Sequence, residues 1–402
     1  MMHPPHLDWP FFEDRHRELA SSVTAWLTTV AHDGRGPSSS ATAATAVDAP
    51  CRDWVRQLGD AGFLRYSVPA AWGGALDTVE SRSLCVLRET LAAHDALADF
   101  AFAMQGLGSG AITSGGSDAL RAEWLPRVAR GDAIGAFALS EPEAGSDAAA
   151  LRTTAIRAPG GWRIDGSKTW ISNGGIADFY CVFARTNPGA PAAKGISAYF
   201  VPAGTPGLAV TERISVMSPH PLATLTFTGC VVPDECLLGV EDEGFALAMR
   251  TLDIFRVSVA AAATGFARRA LSEALHHAAG REMFGTTLGA QPLAQAILGD
   301  MATDVDAAAL LTYRAAWHRD TQPGRMTGVA AMAKFGATEL AQQVIDRALQ
   351  LHGARGVRVG EVIERLYRDI RALRIYEGAT EVQRMLVGRE MLKATRDAER
   401  TP

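Results

Sequence analysis

Lysine is almost missing from this chain. Lys168, Lys194, Lys334 and Lys393 stand alone among many arginines, a skew that reads as codon bias rather than mechanism. Cysteine is nearly as scarce, and Cys51, Cys85, Cys181, Cys230 and Cys236 form neither a CxxC pair nor a Cys/His cluster at zinc spacing. That excludes a disulfide framework or a zinc module and leaves reduced core thiols; no metal site is expected. A strong charge of one sign is also missing. Thirty-nine basic residues against 44 acidic ones give a formal charge of −5, so neither a basic groove for nucleic acid nor a membrane-seeking face is expected. The longest uncharged stretches, such as 100–117, are broken by glycine, serine or proline. Asp8, Glu13 and Asp14 precede any apolar run suited to a signal or transit peptide, so a cytoplasmic protein acting on a small molecule is expected. What is present is ordinary globular composition, 48% apolar and 21% charged, over 402 residues, enough for two or three domains.

The texture divides the chain into helices, strands and helices again. Amphipathic stretches around 18–30, 51–64, 83–97 and 119–128 predict a helical region over 1–130, interrupted by a Ser/Ala/Thr-rich surface loop at 36–47. Near Gly131 the pattern changes to short β-rich runs at 133–139, 162–164, 179–184, 198–201 and 223–227, separated by turn signals such as Pro159-Gly160-Gly161. These predict a compact antiparallel domain over 131–240. Beyond Gly239 the helices lengthen, and Ile297, Met301, Val305, Ala308, Leu311 and Ala315 lay one apolar stripe along a helix face, as a bundle over 241–402 requires.

The common signatures GxxxxGK[ST], HExxH and the EF-hand loop are absent. Gly106-Leu-Gly-Ser-Gly110 follows a helical run without the strand-turn-helix context of a dinucleotide fingerprint, and reads as loop or helix packing. Three segments hold more. Phe137-Ala-Leu-Ser-Glu-Pro-Glu-Ala-Gly-Ser-Asp147 ends a strand in small and hydroxyl residues that let a planar or phosphorylated ligand approach the main chain; the plainer reading is a capped strand-to-loop transition. In Gly166-Ser-Lys-Thr-Trp-Ile-Ser-Asn173, Trp170 and Ser172 share one face, although a strand tryptophan alone is more often core. In the third, 371–384, Glu377 lies between Tyr376 and Gly378, just before a helix whose first turn holds Thr380 and Glu381. Apolar flanks raise a carboxylate's pKa, as a general base near neutrality needs, but a helix-start or salt-bridged glutamate fits the same residues.

Together and in this order, the three segments resemble the acyl-CoA dehydrogenase family. Supporting blocks are Leu237-Leu-Gly239, Arg281-Glu-Met-Phe-Gly285, Gln291 and 350–356, so the resemblance spans about Phe11 to Lys393. It implies an α+β fold: an N-terminal all-α domain, a central β-barrel-like domain and a C-terminal four-helix bundle, with FAD as cofactor. It assigns Phe137, Leu139, Ser140, Ser146, Trp170 and Ser172 to the flavin. Arg281, Phe284, Gln291, Gln350 and Ala354 are assigned to the FAD of a neighbouring subunit, in a homodimer or homotetramer, and Ala379 and Glu381 are further cofactor contacts. Substrate contacts fall on Ser146, Asp253, Arg256 and Gly378. Glu377 is implied as the base removing the α proton of an acyl-CoA while the β hydrogen leaves as hydride, with an electron-transfer flavoprotein implied as acceptor.

Some members carry the base on the first long bundle helix, where this chain has Phe255, which cannot accept a proton. Other departures are Gly353-Ala354-Arg355 in place of a glycine pair, Ala379 in place of threonine, and the loop Met217-Ser-Pro-His-Pro-Leu-Ala-Thr224 in place of a polar run near the thioester carrier. That loop keeps a carrier-protein thioester open as substrate. Same-fold oxidases or monooxygenases, and a non-catalytic thioester binder, are the competing readings. Phe100, Phe102, Met104 and Gln105 fall in the region implied to line the acyl pocket, which together with Phe255 favours a short, branched or cyclic acyl group.

Overall fold

The structure, a computed structural model, describes residues 5–30, 44–322, 324 and 326–398. Most of the loop expected at 36–47 lies outside them. The helices are α1 (Asp14–Thr29), α2 (Asp48–Asp60), α3 (Ser81–His94), α4 (Ala96–Gly115), α5 (Asp118–Arg130), α6 (Gly244–Gly280), α7 (Pro292–Thr321), α8 (Thr327–His352), α9 (Val362–Leu373) and α10 (Thr380–Ala398). The strands are β1 (Gly135–Ala138), β2 (Thr154–Ala158), β3 (Gly161–Ser172), β4 (Phe179–Arg185), β5 (Ile196–Pro202), β6 (Leu208–Arg213), β7 (Leu222–Val232), β8 (Leu237–Leu238), β9 (Glu282–Met283) and β10 (Thr286–Thr287). They fall into two units: 1–39, 81–99 and 256–402 form one, and 40–80 and 100–255 form the other.

The first unit is helical. Its core is built on the alanines of α6 (Ala262, Ala263, Ala267, Ala270 and Ala274), whose small side chains let Met301 and Val305 of α7, Val344 and Ile345 of α8, and Ile363, Leu366 and Ile370 of α9 pack close. The α7 stripe read from sequence holds for Met301, Val305, Ala308 and Ala315, which are buried, while Ile297 and Leu311 are half-buried. Burial on this scale, at about 25 cal/mol per Å² of apolar surface, is what holds the long helices together.

The second unit is centred on an eight-stranded sheet, in the order β6-β7-β3-β2-β4-β5-β8, with β1 added beside β4. It is not wholly antiparallel as expected, because β4 pairs in parallel with both β1 and β2. Residues 139–178, including the β2–β3 hairpin, separate β1 from β4 and supply the crossover that a parallel pair needs. The central β4 and β5 are buried on both faces, so their apolar runs do not alternate. The glycine run at 106–110 is helical, and Gly108 has its reason in packing: a Cβ there would overlap the backbone of Gly135. No helix among the described residues is long and apolar enough to cross a membrane.

Candidate active site

Left-handed backbone marks the places where this chain departs from ordinary geometry. Among the described residues five non-glycine positions have positive φ, namely Trp170, Asn173, Asp242, Phe284 and Glu377. Such a conformation costs on the order of 1–3 kcal/mol and persists only where the surroundings enforce it. Three of the five, Trp170, Phe284 and Glu377, are residues the sequence singles out.

In the first unit Glu377, at φ 52°, and Gly378, at φ 99°, form a turn between α9 and α10. Glycine suits 378 because its φ of 99° strains any other residue, and a Cβ there would also displace the Gln383 side-chain amide. The turn is held by its carbonyls: Arg256 Nε donates to the Glu377 oxygen at 3.1 Å, and Lys334 Nζ donates to the Gly378 oxygen at 2.7 Å. Thr380 N–H closes the segment on the Arg374 carbonyl at 3.1 Å, while Arg374 Nε and Thr380 Oγ1 both donate to Glu339 at 2.8 Å. The peptide N–H of Glu377 has no partner among the described residues.

The Glu377 carboxyl is buried at Oε2, which has no hydrogen-bond partner. Burial raises its pKa, and the positive charges of Arg88, Lys334 and Arg256 oppose the rise, while Asp99 adds to it. Arg88 is clamped by Asp99, with Nε and Nη2 each 2.8 Å from a carboxylate oxygen, and Nη1 donates to Ser258 Oγ at 3.0 Å. Burial disfavours the Arg88 charge, but Asp99 outweighs it. Tyr376, beside Glu377, is 37% exposed as a residue, but burial of its hydroxyl end raises that group's pKa, which Arg88 partly lowers. The arrangement is a carboxylate poised to accept a proton inside a frame of fixed cations.

In the second unit the segment following β1 lies against β3. Thr169 N–H donates to the Ser140 carbonyl at 3.0 Å, and Lys168 Nζ donates to the Leu139 carbonyl at 3.0 Å and to Glu141 Oε1 at 2.7 Å. Glu141 also accepts from the Arg152 and Thr153 amides. A register shift between Lys168 and Ile171 turns Trp170 outward, leaving the indole 59% exposed beside half-buried Ser172. An exposed indole fixed by a bulge, with hydroxyls and peptide groups next to it, suits one face of a flat heteroaromatic ring. The residues present therefore fit a flavin.

Comparison with known proteins decides the family. Residues 13–132, 136–230 and 242–392 match the acyl-CoA dehydrogenase N-terminal, middle and C-terminal domains. The chain is similar to the mitochondrial short-chain specific acyl-CoA dehydrogenase of Mus musculus, at 37% identity over 344 residues, 85% of this chain and 83% of the relative. It is 35% identical over 358 residues to the cyclohexane-1-carbonyl-CoA dehydrogenase of Geobacter metallireducens, covering 88% and 93% of the two chains. The butyryl-CoA dehydrogenase structure from Megasphaera elsdenii superposes with a TM-score of 0.86 at 30% identity, covering 95% of this chain and 99% of that one. The chain belongs to the acyl-CoA dehydrogenase family. As an acyl-CoA dehydrogenase it is an oxidoreductase acting on acyl-CoA, in a family that depends on FAD.

The structure gathers Phe137, Leu139, Ser140, Trp170 and Ser172 of this acyl-CoA dehydrogenase around the β1–β3 junction, with Ser146 exposed in the loop beyond. Around the Glu377 turn it gathers Arg256, Gly378, Ala379 and Glu381. Arg281, Phe284 and Gln291 sit on the β9–β10 hairpin and the start of α7, where Phe284 is 88% exposed. Gln350 and Ala354 are exposed at the end of α8, and the stacked rings of His277 and His352, 4.3 Å apart, join that end to the end of α6. Asp253 is half-buried on the part of α6 in the second unit. Sequence reasoning missed Arg88, Asp99 and Lys334. The available signal was charge embedded in apolar helix, most plainly Lys334 in Ala330-Ala-Met-Ala-Lys-Phe-Gly336.

Proposed function

We propose that this protein carries out FAD-dependent α,β-dehydrogenation of an acyl-CoA thioester, with Glu377 as the base that accepts the α proton. The observation that carries the reading is Glu377: half-buried, with its carboxyl Oε2 buried and without a hydrogen-bond partner among the described residues, raised in pKa, and set on a strained turn whose carbonyls accept from Arg256 and Lys334. A proton beside a thioester carbonyl is removable only if negative charge on that oxygen is stabilised where it forms. The unpartnered N–H of Glu377 supplies one donor for it. The fixed charges add to this, since of those acting most strongly on Glu377 three are positive, Arg88, Lys334 and Arg256, and Asp99 is negative. Bound FAD supplies acceptance of the β hydride. Ser140, Trp170 and Ser172 would hold one face of its ring. Exposed Arg281 and Phe284, half-buried Gln291 and the exposed Gln350 loop would reach the cofactor of a neighbouring copy, which makes a homodimer the smallest complete unit and a homotetramer the fuller one.

The acyl group in this reading is short, branched or cyclic. In the second unit the buried Phe255 ring presses on Gly106, where a Cβ would overlap it, and the Phe100 ring lies tilted against His220 with centroids 4.5 Å apart. Burial pulls the His220 imidazole down to about 4, so it is neutral in the loop that replaces the polar run. An electron-transfer flavoprotein is the acceptor in this reading. The test is anaerobic titration of the purified yellow protein with a panel of acyl-CoAs, scored by bleaching of the flavin. Reduction by short, branched or alicyclic thioesters is expected. No reduction by any thioester overturns the reading, and rapid peroxide release in air replaces it with an oxidase.

A further inference from the structure

Three cations face Glu377, and they are not equivalent. Arg88 of α3 is locked to Asp99 of α4, whose carboxylate acts on Glu377 in the opposite sense. Arg256 of α6 donates to the carbonyl of Glu377 itself. Lys334 of α8 is fully buried, its Nζ lies 2.7 Å from the Gly378 carbonyl, and no carboxylate hydrogen-bonds to it among the described residues. Of the charges acting on Lys334, Glu377 is the leading one; Arg256 repels it, and Glu339 and Glu381 attract it more weakly. Glu339 is already engaged by Arg374 and Thr380. A neutral donor would satisfy the Gly378 carbonyl at far lower desolvation cost, so a buried ammonium there calls for a second role.

We propose that Lys334 is a positioning residue for Glu377: through the Gly378 carbonyl it fixes the left-handed turn, and its charge, which no hydrogen-bonded carboxylate takes up, keeps the Glu377 carboxylate ionised and able to accept a proton. The inference rests on Glu377 as the base. An unpaired buried carboxyl otherwise retains its proton, whereas a nearby opposite charge lowers its pKa by about 1–3 units, and Lys334 is among the charges that lower that of Glu377. Burial pulls the Lys334 ammonium down to about 8, so the charge is present through neutrality and fades above that pH.

The experiment is an infrared titration of the purified holoprotein, following the carbonyl stretch of protonated Glu377 identified by its loss in Glu377→Gln. It needs no substrate. The midpoint is expected to rise by about one pH unit in both Lys334→Gln and Lys334→Met, and to stay at the wild-type value in Lys334→Arg, which keeps the charge. Lys334→Gln retains a donor for the turn and Lys334→Met retains the length and apolar character of the stem, so either folded variant decides the matter. An unchanged midpoint in a neutral variant with its flavin spectrum intact overturns the role of Lys334, as does a raised midpoint in Lys334→Arg. Failure of every acyl-CoA to reduce wild-type flavin overturns the function of Glu377 instead, and leaves the titration result distinct.

Discussion

Two fully buried lysines, one in each unit, solve the same problem differently. Lys168 meets the Glu141 carboxylate at 2.7 Å and the Leu139 carbonyl at 3.0 Å, and Glu141 is completed by two backbone amides. Among the described residues Lys334 meets only a carbonyl, and its principal opposite charge, Glu377, is left without a hydrogen bond at Oε2. Burial pulls both ammonium groups down to about 8. The first arrangement closes on itself and braces the loop after β1 against β3. The second leaves charge directed at the carboxylate proposed to accept the α proton. A buried ion pair with every donor and acceptor used is architecture; a buried cation with an incomplete shell beside a strained acid is chemistry.

The largest expected effect breaks the second arrangement at its centre. Glu377→Gln keeps the shape of the turn and removes the proton acceptor, so flavin reduction by the best acyl-CoA should slow at least 100-fold, within the range of about 10²–10⁴ for general-base loss. FAD absorbance and melting temperature should be retained. In the wild type the rate should rise with pH as Glu377 ionises, and because burial raises that pKa the half-rise should lie above the ordinary carboxylate range. A rate unchanged by the substitution, measured by anaerobic stopped flow, removes Glu377 as the base.

Next comes the first arrangement. Lys168→Met strands the Glu141 carboxylate in the interior, and leaving one buried charge alone costs about 3–5 kcal/mol. Lys334→Met strands no directly bonded carboxylate and loses one hydrogen bond to a carbonyl, about 1–2 kcal/mol. Urea midpoints at neutral pH should show that order, and Lys168→Met with Glu141→Gln should recover most of the larger loss. Equal destabilisation by the two methionine variants would mean that both lysines serve the same structural purpose.

How much of this was written in the sequence depends on the range of the interaction. Helix faces and strand runs were legible because their periods are local; the Met301-Val305-Ala308 stripe and the apolar β4 run needed only a window of a few residues. The parallel pairing of β1 with β4 was not, since no period records which distant strand lies alongside. Glu377 was legible as a candidate because Tyr376 and Gly378 flank it, yet its left-handed backbone was not, since the constraint comes from other helices, through Arg256 on the Glu377 carbonyl and Lys334 on that of Gly378. Arg88 and Asp99 each look like solvated helix charges until folding sets them 2.8 Å apart inside. The lysine skew, read as codon bias, hid the fact that two of the four lysines are among the largest fully buried side chains.

The smallest effect sharpens the comparison from the cofactor side. Trp170 is 59% exposed and makes no core contribution that its removal would forfeit, so Trp170→Ala should change stability by no more than about 0.5 kcal/mol, as exposed positions do. An aromatic contact with a flat ring is worth about 0.5–1.5 kcal/mol, so FAD affinity should fall roughly two- to tenfold, read by fluorescence titration of deflavinated protein. The left-handed backbone at 170 adds a second handle, because Trp170→Gly relieves strain that Trp170→Ala retains. If the indole serves the flavin, both variants lose affinity alike while the glycine variant is the more stable of the two. If the outward turn of Trp170 is only a consequence of the β3 bulge, affinity stays at the wild-type value in both.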